Sequence, residues 1–174
     1  NKIKASAGFD AIAQAVESLV SKKSNEKSIE YAKKSLGISI GSYISFLNNP
    51  TLKSASEMSI ASNLAGKAIS ISKTTAPHAV SYPFTSIYNI SHGHAVGLFF
   101  ENFFEFNFKN LSRSETSFDL RKRFDLIFDL FNVKNINEFC NYISLLKKQA
   151  KLEDDLKKLN INTKDNFDKI INGI

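Results

Sequence analysis

The chain has 174 residues, of which 43% are hydrophobic and 23% charged, enough for one domain with a real core and too apolar for a disordered chain. Its 7 glycines and 3 prolines exclude collagen-like and turn-dense all-β classes. The net charge of +6 raises the question of an acidic partner, but the lysines are spread along the chain and the aromatic residues fall in apolar runs. We therefore predict solvated helix faces and no nucleic-acid partner.

The location of the protein is indicated by what the sequence lacks. No run of about 18 apolar residues occurs, so no membrane span is predicted. The first residues do not show the charged-then-apolar order of a secretory signal. Cys140 is the single cysteine and allows no internal disulfide, which favours a cytoplasmic location.

Three helices are predicted in the first 72 residues. Apolar residues spaced by three and four from Phe9 to Val20 indicate an amphipathic helix, with Ser6 as its N-cap. A second helix begins after Asn25 and is stopped by Pro50. The third, over residues 52–72, is rich in small side chains, and we predict that it lies inside the bundle. The Gly37/Gly41 and Gly93/Gly97 spacings are interpreted as helix packing sites.

The second half begins with an irregular region in which Pro77 and Pro83 are expected to interrupt regular structure. Ser91 is the predicted cap of a helix that runs through Phe104, and Thr163 that of a terminal helix. Two more helices are predicted at about 116–131 and 136–149. Because no segment alternates apolar and polar residues, we predict an all-α multi-helix bundle.

Motifs of nucleotide binding and hydrolysis are missing. The sequence contains no GxGxxG, GxxxxGK[ST], GxSxG, HExxH or CxxC pattern and no EF-hand loop. A nucleotide cofactor therefore has no recognisable binding motif within these residues.

A candidate metal site is the one group of residues that suggests chemistry. Asp10 and Gln14 stand four residues apart on the first helix, with Glu17 three residues further on the same stripe. All three histidines, His78, His92 and His94, fall in the proline-punctuated region. A carboxylate on one helix and imidazoles on another suit Fe²⁺ or Zn²⁺. The alternative is a set of ordinary helix residues.

Three segments resemble the group III, iron-containing alcohol dehydrogenases: GFDAIAQAVES at 8–18, ASNLAGKAIS at 61–70 and PHAVSYPFTSIYNISHGHAVGLFF at 77–100. The resemblance implies a dehydroquinate synthase-like fold of two lobes, an N-terminal α/β domain that binds NAD(P) and an all-helical C-terminal domain that holds the metal. Residues 1–174 would be a single helical, metal-binding catalytic lobe, with the NAD(P)-binding domain absent from this chain. Such a lobe is expected to be inactive alone.

The same resemblance implies roles for individual residues. Asp10, His78 and His92 match the family's metal ligands, with the two histidines fourteen residues apart. Gln14 stands where the family has a further histidine ligand, and it is either a fourth ligand or an outer partner. Tyr82 replaces a histidine associated with proton relay, so Tyr82 and His94 are the candidate proton donors.

The function implied is an NAD(P)-linked alcohol dehydrogenase or aldehyde reductase, whose metal polarises the substrate carbonyl for hydride transfer. The residues within these motifs are most similar to those of the phosphonoacetaldehyde reductase (hydroxyethylphosphonate dehydrogenase) branch. This resemblance makes Lys73 a candidate contact for the phosphonate. The expected partners are a small aldehyde or alcohol and the protein's own NAD(P)-binding domain, and a homodimer is compatible with the sequence. The alternative functions are a non-catalytic helical interaction domain and a degenerate dehydrogenase homologue.

Overall fold

The computed structural model describes residues 2–174, which form nine α-helices and one short 3₁₀ turn at Leu111–Arg113. The helices are α1 (Lys2–Val20), α2 (Glu26–Asn48), α3 (Leu52–Ser72), α4 (Ala76–Tyr88), α5 (His92–Gly97), α6 (Phe100–Lys109), α7 (Leu120–Phe131), α8 (Ile136–Gln149) and α9 (Phe167–Asn172). No β-strand occurs within these residues, which confirms the predicted all-α fold. None of the described helices combines the length and hydropathy needed to cross a membrane.

Helix α1 is the central element of the bundle. From Gly8 to Val20 every residue is buried except Asp10 and Gln14, and α2, α3 and α5 all pack against it. The helix begins at Lys2, so the prediction that Ser6 caps it is wrong. Ser6 lies inside α1, where its hydroxyl instead accepts a hydrogen bond from the backbone N–H of His94 at 3.1 Å. Asp10 and Gln14 are thus the two partly exposed residues in the deeply buried part of α1.

Helices α2 and α3 form an antiparallel pair beside α1. Both begin with a capping box, centred on Asn25 and on Thr51, which satisfies free backbone N–H groups at each helix start. The predicted position of α3 inside the bundle is wrong. Its small buried residues form one face against α1 and α2, whereas Ser59 and Ser62 on the other side are exposed. Small side chains here permit close packing at the edge of the bundle.

The proline-punctuated region is a helix, contrary to the prediction. Pro77 lies in the first turn of α4, where a missing N–H removes no hydrogen bond, and Pro83 is accommodated inside the helix. Asn89 then adopts a left-handed backbone conformation that ends α4 and turns the chain into α5. Ser91 precedes α5 as predicted, but its side chain makes no capping bond and the helix stops at Gly97 before α6 begins.

A phenylalanine-rich cluster joins α6, α7 and α8, and the rings of Phe104, Phe124 and Phe139 are among those in edge or tilted contact. Helix α8 has the predicted bounds, while α7 begins at Leu120, after the predicted start. The terminal helix is much shorter than predicted and follows Asn166, so Thr163 is not its cap. A second cluster, including Phe84, Leu98 and Ile170, packs the C-terminal segment behind α4 and α5.

Candidate metal centre

Three helices bring one carboxylate and two imidazoles together at the surface of α1. Asp10 lies on α1, His78 on the third residue of α4 and His92 on the first residue of α5. The Oδ1 atom of Asp10 is 3.2 Å from Nε2 of His78 and 3.8 Å from Nε2 of His92. One ligand atom from each of the three residues lies within 4.8 Å of the others. The local fold that achieves this is the α4–α5 turn at Asn89, which folds α5 back beside α4.

The donor atoms fit a divalent cation. A carboxylate and two imidazoles are the mixed ligand set that iron and zinc prefer. Among the described residues, Asp10 Oδ1 and His78 Nε2 are both buried and make no hydrogen bond, although they lie close together. Buried polar atoms normally have a partner, and a cation between the two would supply it.

The charge balance of His78 reflects the same surroundings. Burial favours the neutral imidazole, but the nearby Glu17 and Asp10 carboxylates outweigh burial and raise the pKa of His78 to about 9. In the absence of a cation, a proton on this ring therefore offsets one of the two negative charges. The site is built to hold positive charge between Asp10 and Glu17.

A second set of side chains contacts the far sides of the three groups. Gln14 Nε2 donates to Asp10 Oδ2 at 2.8 Å. Glu17, which is fully buried, has Oε1 at 2.5 Å from His78 Nδ1. Ser81 Oγ lies 3.3 Å from His92 Nδ1.

Comparison with protein families matches residues 4–172 to the Fe-containing alcohol dehydrogenase family, C-terminal. The chain belongs to the iron-containing alcohol dehydrogenase family. A search of curated proteins found no significant match. The family membership agrees with the coarser part of the predicted resemblance, and the assignment to a phosphonoacetaldehyde reductase branch stays a prediction.

Solved structures of dehydrogenases share the fold. The sulfoacetaldehyde reductase of Bifidobacterium kashiwanohense in complex with NAD⁺ is 27% identical, with a TM-score of 0.80 over 99% of this chain and 43% of that one. The iron-containing alcohol dehydrogenase of Thermotoga maritima is 26% identical, with a TM-score of 0.66 over 83% and 35%. That of Thermococcus thioreducens is 17% identical, with a TM-score of 0.83 over 98% and 43%. The chain thus spans less than half the length of these structures.

The other predicted site residues of this iron-containing dehydrogenase domain, Tyr82, His94 and Lys73, lie at three separate positions. Tyr82 is 56% exposed and stacks on His92, with ring centroids 5.5 Å apart. His94 points elsewhere, because its Nε2 is hydrogen-bonded to the backbone carbonyl of Glu153 at 2.5 Å. Lys73 is exposed at the end of α3, where its backbone has a φ of 63°.

The sequence interpretation did not assign two of the residues that surround the site. Glu17 was recognised on the stripe of Asp10 and Gln14 without a role, yet its carboxylate contacts His78 and also accepts hydrogen bonds from Thr75. Its spacing of seven residues from Asp10 was the available signal. Ser81 carries no such signal, because a serine three residues after a histidine is common in any helix.

Helix α5 lies so close to α1 at Gly93 that adding one methyl group at this position is expected to destabilise the fold. A Cβ at Gly93 would overlap the Ser6 carbonyl and lie 2.7 Å from Asp10 Cβ, so Gly93→Ala forces the two helices apart. We expect about 1–3 kcal/mol of destabilisation and weaker metal binding, measured by urea unfolding and zinc titration. Gly66→Ala is the control, because no atom lies within 4 Å and the helix should gain up to about 1 kcal/mol. Equal stability of the two variants would contradict the packing.

The space around each glycine also shows that only one of the two glycine pairs is a helix packing site. A Cβ on Gly37 or Gly41 would meet nothing within 4 Å, so these two are not packing sites. The prediction holds for Gly93 and for Gly97, where a Cβ would lie 3.2 Å from the ring of Phe9. The pattern alone did not distinguish a contact face from an open one.

Proposed function

We propose that this chain is the metal-bearing helical domain of an NAD(P)-linked alcohol dehydrogenase or aldehyde reductase, with Asp10, His78 and His92 as ligands of Fe²⁺ or Zn²⁺. The observation that carries the proposal is the convergence of these three groups from three helices, with two of their buried atoms unpartnered. A helical interaction domain would have no reason to gather them, so the arrangement supports the enzyme. A degenerate homologue remains the outcome to test.

The chemistry divides between the bound groups and the residues of the chain. When bound, the metal supplies a Lewis acid for the substrate oxygen, and the reduced nicotinamide supplies the hydride. Three protein ligands leave room for a substrate oxygen beside Asp10, whose side chain is 20% exposed. Tyr82, exposed next to His92, is the better placed proton donor, since the Nε2 of His94 is occupied by Glu153.

The substrate proposed is phosphonoacetaldehyde, a two-carbon aldehyde that ends in a tetrahedral anion. The name of the Bifidobacterium relative, a sulfoacetaldehyde reductase, describes a closely similar molecule with a sulfonate in place of the phosphonate. Lys73 is the proposed contact for that anion. Its side chain is exposed just after the end of α3, two residues before Thr75, whose hydroxyl donates a hydrogen bond to Glu17. Sulfoacetaldehyde as the preferred substrate is the competing outcome.

The nucleotide is proposed to bind to an N-terminal α/β domain of the same protein. This chain contains no nucleotide-binding motif and corresponds to 43% of the relative that was crystallised with NAD⁺. The metal would then lie in a cleft between the two domains, as is usual for ligand sites. The helical domain supplies one wall.

The test joins this chain to the nucleotide-binding domain of the Bifidobacterium reductase and measures NAD(P)H oxidation with Fe²⁺ or Zn²⁺. We expect no turnover by the chain alone and reduction of phosphonoacetaldehyde by the joined protein. Lys73→Ala should raise KM for phosphonoacetaldehyde while leaving that for acetaldehyde unchanged. A joined protein that binds metal and nucleotide but reduces no aldehyde would indicate a degenerate homologue, and turnover by the chain alone would contradict the division between domains.

A further inference from the structure

We infer that Gln14, Glu17 and Ser81 are positioning residues, each of which holds the far atom of one ligand so that the near atom faces the shared metal position. The inference rests on the proposed metal centre and goes beyond it, because it assigns roles to residues that touch neither metal nor substrate. In each case the direction of the hydrogen bond follows from the chemistry of the partner.

Glu17 determines which nitrogen of His78 carries hydrogen in the metal-bound state. Its Oε2 accepts hydrogen bonds from the Thr75 backbone N–H at 2.6 Å and from the Thr75 hydroxyl at 2.8 Å. Its Oε1, 2.5 Å from His78 Nδ1, can only accept, so Nδ1 must be the donor. The lone pair of His78 is thereby placed on Nε2, the atom that faces Asp10.

Ser81 determines which nitrogen of His92 carries hydrogen. The hydroxyl of Ser81 donates its single hydrogen to the backbone carbonyl of His78 at 2.7 Å. It can therefore only accept from His92 Nδ1, at 3.3 Å. The lone pair of His92 is again left on Nε2, which faces Asp10.

Gln14 positions the carboxylate and is thereby separated from the role of ligand. Asp10 as a carboxylate can only accept, so the amide NH₂ of Gln14 must face Oδ2, at 2.8 Å. This bond occupies Oδ2 and leaves Oδ1 towards the two histidines. The residue that stands where the family has a histidine thus orients a ligand in this chain.

The sharpest test is Glu17→Gln, which keeps the shape and removes one acceptor. An amide has a single oxygen, and two donors from Thr75 compete for it against one from His78. The oxygen should turn to Thr75 and the NH₂ to His78, which places the lone pair on Nδ1 and the hydrogen on Nε2. We expect zinc affinity, measured by competition with a chromophoric chelator, to fall about 10–100-fold.

Matched controls separate positioning from general damage to the fold. Glu101→Gln changes another largely buried acid, one paired with Lys147 away from the site, and should leave zinc affinity within about twofold of the wild type. Ser81→Ala should weaken zinc binding, whereas Ser35→Ala, which removes an equally buried hydroxyl bonded to Ala61, should not. Gln14→Ala should also weaken binding, because Oδ2 of Asp10 becomes free to turn.

A spectroscopic measurement reports the inferred hydrogen positions directly. In ¹⁵N-histidine spectra of the zinc-loaded chain, His78 and His92 should carry hydrogen on Nδ1 and bind through Nε2. Zinc affinity of Glu17→Gln and Ser81→Ala equal to the wild type, or binding through Nδ1, would overturn the positioning roles while leaving the metal centre standing. A wild-type chain that does not bind zinc would overturn the metal centre and the positioning roles together.

Discussion

Asp10→Asn is expected to abolish tight binding of Zn²⁺ or Fe²⁺ by this chain. The substitution keeps the shape of the side chain but replaces the charged atom nearest to both histidines with one end of a neutral amide. Because the residue itself is the proposed ligand, the loss should exceed the roughly 100-fold effect of removing an outer partner. Competition with a chromophoric chelator at constant pH measures it.

The control for this experiment is Asp125→Asn. Asp125 forms an exposed ion pair with Arg121 on α7, distant in the chain from the proposed metal site, so its loss should leave zinc affinity unchanged. Urea unfolding of both variants without metal tests for a general change in stability. Zinc bound equally tightly by Asp10→Asn and the wild type would show that the carboxylate is not a ligand.

The sequence predicted the helices whose ends carry strong local signals. Asn25 and Pro50 mark the limits of α2 because a capping box and a missing backbone N–H act within one turn. The Pro77–Pro83 segment was mispredicted because a proline in the first turn costs nothing, and the packing of Phe84 against the C-terminal segment stabilises a helix that contains the second one. Tertiary contacts therefore determine that this segment is helical.

The difference between local sequence signals and tertiary contacts also explains which site residues could be predicted. Asp10, His78 and His92 were selected from the sequence because their residue types and spacing matched a family pattern, and the structure places them together. Glu17 and Ser81 could not be assigned, since their roles depend on where α4 and α5 pack against α1. His94 is two residues from His92, and two helical steps of about 100° each direct it to Glu153 on another side of α5.

The second large effect concerns Lys147, a lysine buried between α5, α6 and the segment after α8. Its side chain is only 4% exposed, and its ammonium is 2.8 Å from Glu101, 3.1 Å from Asp154 and 2.9 Å from the carbonyl of Gly97. The Glu101 side chain is itself only 16% exposed, and burial raises the pKa of this carboxyl even beside the ammonium. Truncating Lys147 would leave a buried carboxylate with no counter-charge.

We therefore expect Lys147→Ala to lower the free energy of unfolding by about 3–5 kcal/mol, measured with urea at neutral pH. The double variant Lys147→Met/Glu101→Leu should recover most of this loss, because it removes both charges together. Lys109→Ala, which breaks the exposed pair with Glu105, should cost no more than about 1 kcal/mol. If Lys147→Ala were as mild as Lys109→Ala, water would have to reach Glu101.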